Sequence, residues 1–294
     1  MSLAILRYFT LALFLTFPFV CDAEEKPAFP DPEAEELATW CKHLSKELRS
    51  VNLERCLKRH WKIAGNSLGE RPIPYYRWGK ACDDDKAQRV LIIGGIHGDE
   101  ITSVSMVFRW IDFLERTKAD SFLRENVYLL FPLTNPDGFY AKPRTRTNLA
   151  GVDLNRNFVT RGWEEKALDY WKTKANSDPR RYPGATPASE LETKILEKAV
   201  NDFKPDIIIS VHAPYYLLDH DGPVNFPKLK SPLPVRALGA FPGSLGTYAG
   251  LERNIPVITP ELPSADKMPD EQATQQLLVF IMKSRFGTIP LTED

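Results

Sequence analysis

Cysteine is scarce, with four residues in a chain of 294, and that excludes a scaffold built from disulfides. Neither sign of charge predominates. Thirty-eight Lys plus Arg face 39 Asp plus Glu, a formal charge of −1, so the basic face that a nucleic-acid partner demands is missing. No repeat or low-complexity tract is present, and 43% apolar with 26% charged residues excludes a disordered chain, a coiled coil and a collagen-like fibre. The amino-terminal apolar run, Tyr8–Val20, falls short of the roughly twenty residues that a membrane-spanning helix needs. What remains is length enough for one large domain or two small ones, with a sizeable core. An enzyme or a binding protein fits that description.

That apolar run carries its own information. Arg7 precedes it, Cys21 and the small Ala23 follow it, and the chain then turns acidic at Glu24 and Glu25. The order predicts a secretory signal, residues 1–23, cleaved after Ala23; an uncleaved amino-terminal membrane anchor is the alternative. Bulky Val20 argues against a lipid on Cys21. The mature protein is therefore expected to be exported, periplasmic in a bacterium, with no stable membrane span and no nucleic-acid partner. Oxidising compartments permit disulfides. Cys41 lies in a helical pattern with Leu37, Trp40, Leu44 and Leu48, and Cys56 in a second one with Leu53, Leu57 and Trp61. Two packed antiparallel helices in the segment 24–66 bring these sulfurs together as a bridge; two buried thiols are the alternative.

From about Pro72 the chain alternates strands and helices. Val90–Gly95, Val127–Phe131, Ile207–Val211 and Pro256–Thr259 read as buried strands, and Ile101–Lys118, Ser189–Phe203 and Asp270–Phe286 as helices. This predicts an α/β fold: a largely parallel sheet with helices on both faces, its site at the carboxyl ends of the strands. Val159–Pro187 is polar with scattered aromatics and reads as an excursion over one rim.

Directly after the first strand comes Gly94-Gly95-Ile96-His97-Gly98-Asp99-Glu100. His and Glu three apart, between a strand and a helix, can point at one ion, and both suit zinc. Another strand ends in His212. A catalytic zinc needs three protein ligands and an open position, which His97, Glu100 and His212 supply. Asp99 reads as a supporting or capping carboxylate. His43 and His60 in the amino-terminal helices, and His220 in a loop Asp219–Gly222, read as ordinary hydrogen-bonded histidines.

Five elements occur in order: Gly95-Ile96-His97-Gly98-Asp99-Glu100, Asn135-Pro136-Asp137-Gly138, Gly151-Val152-Asp153-Leu154-Asn155-Arg156-Asn157-Phe158, Ser210-Val211-His212 and Glu261-Leu262-Pro263. Together they resemble the zinc carboxypeptidase family, and within it the murein peptide amidase branch, over roughly residues 70–285. Pro242–Tyr248 resembles that branch as well. The resemblance implies a catalytic domain over 67–290 with a mixed, mostly parallel twisted sheet of about eight strands. It implies one zinc per chain on His97, Glu100 and His212, with zinc-bound water as nucleophile and Glu261 as general base. By the same resemblance, Arg146 polarises the scissile carbonyl, and Asn155 and Arg156 grip the carboxylate of the leaving residue. Arg144 is a neighbour that contacts either substrate or solvent.

The chemistry needs each of these. Zinc lowers the pKa of a bound water, a carboxylate ferries its proton, and a fixed cation meets the negative oxygen. A planar guanidinium pairs with a carboxylate through two parallel hydrogen bonds, hence Arg rather than Lys at 156. One departure separates this chain from digestive carboxypeptidases: Gly239 stands where those place a mobile tyrosine, and Gly246 where they select the side chain. Tyr248 does not inherit the tyrosine's role. Gly246 offers neither an aliphatic wall nor a counter-charge and leaves room for a zwitterionic group, which Arg180 or Arg181 reaches unless both stay solvated.

The expected activity is thus an exported metallopeptidase that cleaves the γ-D-glutamyl-diaminopimelate bond of murein peptides, or another peptide with a free terminal carboxylate. Two alternatives stand beside it. An acyl-amino-acid hydrolase of the aspartoacylase type has a similar His-Gly-x-Glu opening, and Gly151–Phe158 argues against it. A catalytically inactive peptidoglycan-binding protein is opposed by the intact residue set.

Overall fold

The computed structural model describes residues 32–80, 86–224 and 230–284. The expected signal segment and Cys82 lie outside the described residues. In chain order the elements are α1 (Pro32–Glu47), α2 (Leu53–Lys58), β1 (Lys62–Asn66), β2 (Pro72–Gly79), β3 (Arg89–Ile93), α3 (Ile101–Glu115), β4 (Val127–Phe131), α4 (Pro136–Tyr140), α5 (Trp163–Thr173), α6 (Leu191–Phe203), β5 (Ile207–Ser210), β6 (Leu217–Asp221), β7 (Val257–Glu261) and α7 (Glu271–Lys283).

Among the described residues the strands form one mixed seven-stranded sheet, ordered β1-β2-β4-β3-β5-β7-β6. Its centre, β4-β3-β5-β7, is parallel, while β1, β2 and β6 join antiparallel. The four apolar runs of the sequence are these four central strands. They are apolar throughout because both faces of the sheet are covered. Alternation divides their side chains: Val90, Ile92, Leu130, Ile209 and Ile258 pack into the core beneath α1, α3 and α7. Leu91, Ile93, Leu129, Ile208 and Val257 join the opposite core with α6 and Leu245–Ala249.

The amino-terminal helices belong to the first core. Cys41 of α1 and Cys56 of α2 form a disulfide with their Cα atoms 5.8 Å apart. Trp40 meets Trp61 edge-on at 4.9 Å, and both lie against Phe108 of α3. Lys62–Asn66 is a strand of the sheet, so the chain passes from this segment into the α/β layer without a break. Two further differences from the sequence reading bear on function. Val159–Pro187 carries a real helix, α5, whose Trp163 is fully buried. Asp219-His220-Asp221 is no loop but the end of edge strand β6.

Candidate active site

Strand order delivers the site. β3, β5 and β7 are adjacent and parallel, so their carboxyl ends lie side by side. The turn after β3 brings His97 and Glu100, the residue two beyond β5 is His212, and the last residue of β7 is Glu261. His212 and Glu261 are held in register by backbone bonds from His212 N–H to Pro260 O and from Leu262 N–H to His212 O, 2.9 and 2.8 Å. The turn after β3 needs its glycine: a Cβ on Gly98 would fall 2.1 Å from the backbone carbon of Gly138. Glu100 then opens α3, where the helix dipole favours an anion.

The three expected ligands converge. His97, Glu100 and His212 are buried, and one donor atom from each lies within 4.8 Å of the others. His97 Nδ1 is 2.8 Å from Glu100 Oε1, and His212 Nδ1 is 3.1 Å from both His97 Nδ1 and Glu100 Oε2. A tetrahedral zinc with bonds near 2.1 Å sets its ligands about 3.4 Å apart. Two ring nitrogens and a carboxylate facing one point are a donor set for zinc, and the spacing fits.

The far sides of the rings are tied as well. Ser210 Oγ is 3.1 Å from His212 Nε2, and Asp153 Oδ1 is 3.1 Å from His97 Nε2. With Nδ1 turned toward the ion site, His97 carries its proton on Nε2 and donates it to Asp153. Asp153 also accepts from Arg146 Nε at 2.9 Å and from the backbone N–H of Asn155 at 3.0 Å. Burial pushes its carboxyl up, but Arg146 and His97 outweigh that and hold it well below the usual range. Asp153 lies inside Gly151–Phe158, and nothing in its local sequence assigns it this role. Its signal was its place two residues before Asn155 in the most specific motif.

Glu261 is buried with Oε2 unpartnered, and burial pushes its carboxyl up despite His212. Arg146 Nη1 reaches Glu100 at 3.2 Å, which leaves Nη2 without a partner among the described residues on the cleft wall. Arg156 stacks over the Phe241 ring at 4.4 Å and donates Nη1–H to Asn155 O at 2.6 Å. Asn155 Oδ1 accepts from Leu245 N–H at 2.8 Å, fixing this pair to the opposite wall. All of these side chains line one cleft of about 400 Å³.

Other expectations resolve separately. Arg144 pairs with Glu47 of α1 and stacks on Phe139, so it faces the amino-terminal helix rather than the cleft. Asp99 does not cap α3; it pairs with Arg180 at 2.8 Å. Arg180 and Arg181 line the cleft rim. Tyr248 is buried against Phe158, and Gly239 lines the cleft with open space around it. The space over Gly246 is not open: a Cβ there would lie 2.0 Å from Asp221 Oδ2. A carboxylate already occupies it, which corrects the reading that this position offers no counter-charge.

Comparison with known proteins agrees with this geometry. Residues 54–218 match the family description zinc carboxypeptidase. The matched span holds the His97, Glu100 and His212 cluster but ends before Glu261. Murein peptide amidase A of Escherichia coli (strain K12) is 32% identical over 180 residues, 59% of this chain and 70% of that protein. Murein peptide amidase A of Vibrio campbellii is 29% identical over 211 residues, 69% of this chain and 79% of that protein. In fold, the chain is similar to thrombin activatable fibrinolysis inhibitor, with a TM-score of 0.62 and 18% identity over 85% of this chain and 72% of that one.

Proposed function

This chain belongs to the zinc carboxypeptidase family and is a hydrolase, and from that premise we propose that it is an exported peptidase that releases the terminal residue of murein peptides. The convergence of His97, Glu100, His212 and Glu261 beside two arginines in one cleft carries this reading. The murein peptide amidases among its relatives support murein peptides as the substrate class, and on this reading the last residue is diaminopimelate, with a free carboxylate that Arg156 and Asn155 hold. The Cys41–Cys56 disulfide supports an oxidising compartment after cleavage near Ala23, and no helix among the described residues is long and apolar enough to cross a membrane.

His97, Glu100 and His212 would hold one zinc, which when bound supplies a Lewis acid and lowers the pKa of the attacking water. The chain's own groups do the rest. Arg156, flattened on Phe241 and steadied by Asn155, takes the terminal carboxylate and sets the scissile bond beneath Arg146. Arg146 Nη2 donates to the carbonyl oxygen as charge grows there, its other nitrogens pinned by Asp153 and Glu100. Glu261 Oε2 accepts the water's proton and passes it to the leaving amine. A raised carboxyl pKa suits both transfers, because the protonated form is then within reach.

The test is release of diaminopimelate from murein tripeptide by the zinc-loaded protein, followed by mass spectrometry. Arg156→Ala is expected to raise KM and to cost about 2–5 kcal/mol in kcat/KM. If tripeptide is untouched while ordinary Lys- or Phe-ended peptides are trimmed quickly, the substrate assignment fails and a general carboxypeptidase remains.

A further inference from the structure

Arg146, Asn155 and Arg156 line the cleft, and Asp153 lies directly behind His97. All four come from residues 146–156, a stretch with no strand and only a single turn of helix, Leu154–Arg156. Its two ends are tied to one residue. At the first end Asn148 closes a turn: its Oδ1 accepts the N–H groups of Ala150 and Val152, both at 3.1 Å. Asn148 Nδ2 then donates to Glu190 Oε2 at 2.6 Å and, more weakly, to Glu192 Oε2 at 3.3 Å. At the other end Asn157 Oδ1 accepts the Glu190 N–H at 3.1 Å. Asn157 Nδ2 donates to Ser189 Oγ at 3.0 Å, and Ser189 Oγ donates to Glu190 Oε1 at 2.6 Å.

Glu190 has no other evident task. It stands at the cap position of α6, yet its side chain caps no N–H of that helix. It is buried and lies outside the cleft lining. Its two oxygens meet only the neutral donors of Asn148 and Ser189, and no cation pairs with it among the described residues. Burying a carboxyl among neutral partners is a weak way to gain stability. It is an effective way to fix geometry, because the Asn148 amide cannot turn without losing bonds at both its oxygen and its nitrogen. Arg146 is two residues from that amide, and Asp153 follows Val152 directly. A displacement of about 1 Å at a reacting centre costs about a hundredfold in rate.

We propose that Glu190 is a positioning residue for the reaction: its side chain, through Asn148, sets Arg146 and Asp153, and its backbone N–H, through Asn157, sets Asn155 and Arg156. The inference rests on the reading of Arg146 as the group that meets the scissile carbonyl and of Arg156 as the one that takes the terminal carboxylate. Removing the side chain therefore disturbs the first pair and spares the second.

The experiment measures murein tripeptide kinetics on the zinc-loaded wild type, Glu190→Ala and Glu190→Gln. Glu190→Ala is expected to lower kcat about 30-fold or more and to leave KM within about threefold. Glu190→Gln keeps an oxygen for Asn148 and offers an NH2 to Ser189 Oγ, so kcat should return to within about threefold of wild type. An unchanged kcat in Glu190→Ala, a KM that rises as far as kcat falls, or no recovery in Glu190→Gln would overturn the proposal. Should Glu190→Ala fail to fold, Asn148→Ser, too short to reach Glu190, carries the test with the same expected split. Hydrogen–deuterium exchange of the zinc-free protein gives a readout free of activity: Glu190→Ala should exchange residues 150–152 about tenfold faster and leave Phe158 as in the wild type. If the wild type leaves tripeptide uncleaved, the peptidase reading fails on its own, and exchange alone decides the inference. Selective loosening of residues 150–152 upholds it, and uniform or unaltered exchange refutes it.

Discussion

Replacing Asp153 by Asn is a change of one atom with a calculable effect. The carboxylate receives three donors at once: His97 Nε2–H, Arg146 Nε–H and the Asn155 N–H. An amide keeps only one accepting oxygen and turns an NH2 group toward the other donors, in a place with no solvent. Oδ1 serves His97 and Asn155, so the amide oxygen is expected to stay there and its nitrogen to face Arg146. That breaks a buried ion pair from one side, at a cost of about 3–5 kcal/mol. Even if Arg146 swings away, one unsatisfied buried donor still costs about 1–3 kcal/mol. The orientation of His97 loosens with it, and loss of such a partner lowers metal affinity about 10–100-fold. Urea denaturation of the zinc-free protein reads the first effect, and titration against a competing chelator the second. A stability within about 1 kcal/mol of wild type together with unaltered zinc affinity would refute the argument.

Two further predictions concern the scaffold. Burial pushes the Glu192 carboxyl up to about 7 from an ordinary 4.5. The folded protein therefore holds a proton that the unfolded chain releases, and stability is full below pH 4.5 and falls as pH rises through 7, by about 3 kcal/mol in all. Glu192→Gln should flatten that decline in melts at pH 5 and pH 8, and an unchanged slope would show that this carboxyl is not its source. Cys41→Ser with Cys56→Ser opens a link across 15 residues and should cost about 3 kcal/mol, measured by denaturation under oxidising conditions.

The parts of the fold legible in sequence were those with one physical cause. β3, β4, β5 and β7 are buried on both faces and so read as unbroken apolar runs. β2 escaped because Pro72 and Pro74 mimic a loop, and β6 because its acids face a cleft rather than a core. The ligand cluster was legible because His97 and His212 each follow a strand, and the helix-entry spacing places Glu100 beside them. Asp153 and Asp221 were not. Each acquires its meaning from a partner far along the chain, His97 for one and Gly246 for the other, and that proximity is written in the strand order rather than in any local pattern.

The central claim is that Glu261 moves a proton for a hydrolysis carried out beside His97, Glu100 and His212. Glu261→Gln keeps the size of the side chain and removes the base, so zinc content and tripeptide turnover measured on one preparation separate binding from chemistry. The account predicts about one zinc per chain with kcat reduced by about a hundredfold or more. Near-normal turnover with zinc in place would contradict it.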